Sequence, residues 1–126
     1  LTVKKLSEII NPTPVASWVP MAGYRQVTGI GVIADADDTE GVTVQLRKAT
    51  SAAGANAADL GDAVTALSTD TDVDVAAMAT AYAYDMGEHT DGTPFTHVSC
   101  TVSGAGSPDT ETAVGVVVRS GGRFSE

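Results

Sequence analysis

Apolar and polar residues alternate with a period of two over several short stretches, the spacing of half-buried β-strands. Val42 to Ala49 is the cleanest case: Val42, Val44 and Leu46 fall on one side, Thr43, Gln45 and Arg47 on the other. Arg25 to Ala34 sorts Val27, Gly29, Gly31 and Ile33 from Thr28, Ile30, Val32 and Ala34. Both sets are fairly apolar, which predicts an inner strand covered on both faces. Ala76 to Met86 alternates large with small, placing Met78, Thr80, Tyr82, Tyr84 and Met86 opposite Ala77, Ala79, Ala81 and Ala83. A helix would scatter these residues, whereas a strand sorts them. Thr96 to Ser103 and Thr112 to Arg119 add two more strands, the second presenting Val114, Val116 and Val118 on one face.

Ala57 to Leu67 fits two patterns. Ala58, Leu60 and Val64 suit a helix stripe, while Gly61 suits a strand broken by a bulge. Turn-forming residues cluster at Asp35–Gly41, Thr50–Asn56, Asp70–Asp74 and Gly87–Pro94. Six or seven short strands at this spacing predict an all-β, single-domain antiparallel β-sandwich, with a jelly-roll-like order among the arrangements that fit.

The two ends read differently. Residues 1–14 form an N-terminal arm in which Leu6, Ile9 and Ile10 have helical spacing, with Val3 extending the stripe backwards. Pro12 and Pro14 end that pattern and impose an extended backbone. An apolar arm must bury its side chains on the domain's own sheet or on a neighbouring subunit. The sandwich is expected over residues 15–120 and a flexible tail over 121–126.

Composition narrows the function. The chain has 126 residues, 43% of them hydrophobic but only 5% aromatic, so Val and Ala supply most of the core. Alanine buries little area, so such a core needs close backbone approach or help from a neighbouring subunit. Seven basic residues stand against 16 acidic ones, a net charge of −9. Phosphate binding relies on Lys and Arg, so nucleic acid is not an expected partner. No stretch approaches the ~20 apolar residues of a membrane span, and no apolar signal segment is evident, so neither a membrane nor secretion is expected.

Candidate chemistry is sparse. Cys100 stands alone between Val98 and Val102 and reads as a small buried hydrophobe. His89 and His97 lack the paired spacing of a zinc site, and no G-x-S-x-G segment accompanies them. Gly29 and Gly31 sit inside a strand, where glycine serves close packing against another backbone. The loop from Asp35 to Glu40 is rich in oxygen ligands, but it does not follow the calcium-loop spacing. Asp70, Asp72 and Asp74 would repel one another on one face of an extended segment. No catalytic residue, metal site or cofactor is therefore expected.

The most distinctive stretch is Trp18-Val-Pro-Met21-Ala-Gly-Tyr24-Arg25, whose residue types are enriched at interfaces, the alternative being that Trp18 closes one end of the sandwich. This W-x-x-M-x-x-Y-R segment leads into a Val/Ile-rich strand. It is followed by Thr43-Val-Gln-Leu-Arg-Lys-Ala-Thr-Ser-Ala-Ala-Gly-Ala-Asn-Ala-Ala-Asp-Leu and by the closing F-T-H-V and A-V-G-V-V-V strands. Together these features resemble the head decoration, cement or stabilisation proteins of tailed bacteriophages. The resemblance implies a non-enzymatic β-sandwich on the outer surface of the virion, made in the host bacterial cytoplasm. There it would bridge subunits of the major capsid protein, itself as a dimer or trimer. Contacts are expected at Leu6, Ile9, Ile10, Trp18, Met21 and Tyr24. The rival expectation is a calcium- or carbohydrate-binding β module of a tail or fibre accessory.

Overall fold

The computed structural model of the chain describes residues 11–14, 17–108 and 111–121. These residues form β1 (Asn11–Pro14), β2 (Val19–Pro20), β3 (Gln26–Ala36), β4 (Gly41–Ala49), β5 (Ala58–Asp59), β6 (Val64–Leu67), β7 (Val73–Tyr82), β8 (His97–Ala105) and β9 (Val114–Ser120). One sheet has the order β1-β9-β3-β7. The other runs β2-β8-β4-β5, with β6 beside the first half of β4. Every pairing is antiparallel. The chain crosses between sheets at most steps, so the long neighbours β9, β3 and β7 are all distant in sequence. This is the strand order of a jelly roll, with β5 and β6 sharing one strand's place. The all-β sandwich expected from side-chain alternation is the fold.

The core lies between the sheets. Val27 and Ile33 of β3, Ala77, Ala79 and Ala81 of β7, and Val117 of β9 pack in one cluster with Val42, Val44 and Leu46 of β4 and Val98 and Cys100 of β8. Small residues on β3 and β7 let the layers approach. A Cβ on Gly31 would sit 2.6 Å from Val44 Cγ2 and 2.8 Å from Val102 Cγ1. The close approach is therefore to side chains of the facing sheet, not to another backbone, and filling it would overpack the core at a cost of ~1–3 kcal/mol.

Several expectations are corrected. β3 is covered on one face only: Ile30 is half-buried, while Val32 and Ala34 on its other side are exposed. Residues Asn11–Pro14 of the expected arm belong to the sandwich, as edge strand β1 paired with β9. An edge position tolerates Pro12 and Pro14, which have no N–H to donate. Of the two patterns that Ala57 to Leu67 fits, the broken strand is the one observed: β5 and β6 both pair with β4 and flank a turn in which Gly61 has φ +73°. β7 begins at Val73 and ends at Tyr82, where Ala83–Asp85 turn into a short 3-10 segment. Met86 thereby leaves the side of Met78 and enters the core.

Candidate binding face

The two sheets turn different outer faces to their surroundings. On the β2-β8-β4-β5 sheet the outward positions are mostly hydroxylic or polar, Leu67 of β6, 53% exposed, being the large apolar exception. Thr43 and Thr65 are hydrogen-bonded through their Oγ1 atoms at 2.8 Å, Arg47 is ion-paired to Asp59, and Thr101 and Ser103 are exposed. Such a face is comfortable in water.

The outer face of the other sheet is built from alternate residues of β9, β3 and β7. Register places Ser120, Gln26 and Tyr82 in one row, then Val118, Thr28 and Thr80, then Val116, Ile30 and Met78, then Val114, Val32 and Ala76. No side chain in these rows is charged. Met78 is 61% exposed and Val114 62%, with Val32 and Tyr82 also open to solvent. Val114, Val116 and Val118 of β9 thus face outward, while Val117 and Arg119 point into the sandwich. In plan the rows cover roughly 300–400 Å², from a strand spacing of ~4.8 Å and a rise of ~3.3 Å per residue.

At the Gln26 end the face runs into a cavity of about 410 Å³ lined by Arg25, Gln26, Tyr82, Ala83, Tyr84 and Gly121. The rings of Tyr82 and Tyr84 stack with centroids 5.2 Å apart and an interplanar angle of 5°. Tyr84 is 80% exposed. At the other end Asp74 accepts a hydrogen bond from the backbone N–H of Asp35 at 3.3 Å.

Of the contact residues expected from sequence, the described ones do not lie on this face. Leu6, Ile9 and Ile10 fall outside the described residues. Trp18 is half-buried, with its indole against Gly54 of the 50–56 loop. Met21 is 4% exposed and belongs to the core, so its expected role as a partner contact is corrected. Tyr24 packs against that core, and the Arg119 guanidinium lies 4.7 Å from its ring centroid. Arg119 also donates to the Pro20 carbonyl at 2.7 Å, while its buried Nε has no hydrogen-bond partner. Trp18, Met21 and Tyr24 therefore fasten the segment around β2 to the sandwich. Sequence reasoning missed Ile30, Met78, Val114 and Val116 as a joint surface. Their signal was the apolar second face of β3 and β9, which becomes informative only once the strand order is known.

Among the described residues, the groups with chemical potential do not converge on a reactive centre. The Cys100 thiol is 1% exposed, and desolvation pushes its pKa up to about 11. His97 Nδ1 lies 2.8 Å from Thr96 Oγ1, and the His89 ring meets Phe95 edge-on. In the His89 loop, the Thr93 backbone N–H donates to Asp91 at 2.9 Å and holds that carboxyl below its ordinary value. Among the described residues, Asp37, Glu40 and Glu111 bring carboxylate oxygens within 4.8 Å of one another. Glu40 accepts from the Asp37 backbone N–H at 3.0 Å. With one oxygen from each carboxylate the group offers three of the six to eight oxygens calcium takes, so backbone carbonyls and water would have to complete a shell. Asp70, Asp72 and Asp74 form no such group, because Asp74 lies on β7 and Asp72 turns the chain with φ +57°. No helix among the described residues is long and apolar enough to cross a membrane. Compared with known proteins, the chain matches no family model, no curated protein and no solved structure.

Proposed function

We propose that this chain is a non-enzymatic structural protein that coats the outer surface of a tailed-phage head, bridging neighbouring subunits of the major capsid protein. The observation that carries the reading is the run of four uncharged rows on the outer face of the β1-β9-β3-β7 sheet, ending at exposed Asp74, on a chain of net charge −9. Buried interface centres are depleted in charge in just this way. The opposite, hydroxyl-rich face and the acidic loops suit the side turned to solution, where like charge keeps particles apart. Jelly rolls occur in capsid and lectin domains alike, so the fold is compatible with the reading without selecting it.

Co-sedimentation with empty shells of the cognate major capsid protein tests the proposal. Saturable binding at a fixed ratio of copies is expected; a protein that stays in the supernatant at every concentration overturns it. The calcium- or carbohydrate-binding alternative draws its specific support from Asp37, Glu40 and Glu111. A stoichiometric calorimetric signal with calcium, lost in Glu40→Gln, would favour that alternative.

A further inference from the structure

We infer that the open edge of β7 pairs antiparallel with β7 of a second copy of this chain, across a two-fold axis at Met78. Two four-stranded sheets would thereby become one of eight strands. The inference concerns the isolated chain and does not require a capsid.

The backbone of β7 is half used. β7 ends the β1-β9-β3-β7 sheet and pairs with β3. Just past its last residue, the Ala83 N–H donates to the Arg25 carbonyl at 2.8 Å. Bonded pairs alternate along an antiparallel ladder. In this register Ala81, Ala79, Ala77 and Val75 therefore spend their backbone groups on β3. Asp74, Ala76, Met78, Thr80 and Tyr82 turn theirs away from it, and among the described residues no hydrogen bond reaches those groups. A row of donors and acceptors at strand spacing is completed by another strand, as in β-strand addition.

The other edges of the sandwich are guarded. Short strands, proline and charged side chains blunt a sheet edge against pairing. β1 has four residues with Pro12 and Pro14, and β2 has two with Pro20. β5 and β6 have two and four residues. β7 runs for ten residues without proline, lysine or arginine. The bulge in its ladder lies on β3, where Ala34 and Asp35 stand opposite Asp74 alone. The β7 edge itself is unbroken.

Closure selects a second copy over a foreign strand. Paired across a two-fold axis, the two open edges consume each other and leave outside the guarded ones, so association stops at two. With Met78 opposite Met78, Ala76 meets Thr80 and Asp74 meets Tyr82 of the other copy. Every outward-turned residue then has an outward-turned partner. Five such pairs exchange two bonds each, about the ten of an ordinary interface; any other register loses a pair. Met78, 61% exposed in one copy, is covered at the axis. Asp74 is the one charged side chain of β7. It lies ~26 Å along the strand from its symmetry mate, beyond the ~10 Å Debye length at 0.1 M salt. Asp70, Asp72, Asp85 and Arg25 are exposed beyond the ends of the paired segment.

Sedimentation velocity of the full chain should give twice the monomer mass and no larger species. Met78→Pro removes an outward N–H and spares the bonds to β3. It should give the monomer mass with unchanged far-ultraviolet circular dichroism. Met78→Lys sets two like charges across the axis and should weaken the dimer at least ~10-fold. Nitroxide labels in a Cys100→Ala background read the register by dipolar spectroscopy. Thr80→Cys should place its two backbone sites ~14 Å apart and Asp74→Cys ~27 Å apart. A monomeric full chain overturns the inference, and so does an open series of larger oligomers. A dimer that both Met78 variants leave intact overturns it too, as does one whose labels at position 74 lie closer than those at position 80. All these measurements use the isolated protein, so a failure to bind shells leaves them unaffected.

Discussion

Cys100 ties the stability of the sandwich to pH through desolvation. Its thiol is enclosed by the core cluster and titrates near 11 instead of at the ordinary 9.0. Below about pH 9 both native and unfolded chains keep the proton, so the group adds no slope. Between about pH 9 and 11 the unfolded chain loses its proton while the native one retains it. Stability should therefore fall across that window by up to roughly 2–3 kcal/mol, at ~1.4 kcal/mol per pKa unit. Urea titrations of the parent and Cys100→Ala at matched pH isolate the term: the variant should lose less stability than the parent between pH 9 and 11. Equal slopes would show that the thiol is not desolvated. Burial of Cys100 was legible because Val98 and Val102 share its side of the strand. Burial of Arg119 was not. Its position on β9 alternates with three valines, and hydropathy alone would put the valines inside. Arg119 is buried because the Pro20 carbonyl and the Tyr24 ring receive the guanidinium, partners that only the folded chain supplies.

Among the elements, the loop from Thr50 to Asn56 has a task its bland composition concealed. The Thr50 and Gly54 backbone N–H groups bond back to Ala55 and Ser51, and this turn lays Gly54 against the Trp18 indole. A Cβ on Gly54 would lie 2.5 Å from Trp18 Nε1, and the residue has φ +82°. Gly54→Ala should cost ~1–3 kcal/mol from strain and overpacking together. It should also shift the emission of Trp18, the sole tryptophan. Gly61→Ala is the control: its φ is +73°, but a Cβ there meets nothing within 4 Å. It should lose only the ~1–2 kcal/mol of a left-handed alanine and leave the spectrum unchanged. An unmoved spectrum in Gly54→Ala would mean the loop does not hold the indole. β4 was legible because Val42, Val44 and Leu46 face a core while their neighbours face water. β1 was not, since an edge strand of Asn-Pro-Thr-Pro has no alternation to read. The faces of β3 were sorted correctly. That its outer face stays open could not be read from the chain, because the order of strands and the number of layers are properties of the whole fold.

For the whole molecule, charge and apolar surface act in opposite directions. Each copy carries −9, so bringing two together costs electrostatic work that falls as salt shortens the Debye length from ~10 Å at 0.1 M to ~3 Å at 1 M. The four sheet rows hold no charged side chain, and acids outnumber bases, 16 to 7, in the chain as a whole. Self-association through this sheet should therefore tighten with added sodium chloride, and tighten further with sulfate, which strengthens apolar burial. Sedimentation equilibrium between about 0.05 and 0.5 M salt reads the trend directly. A contact made of ion pairs predicts the reverse, because screening weakens exposed pairs. Dissociation on adding salt would thus remove this sheet from consideration and move the junction to the acidic loops.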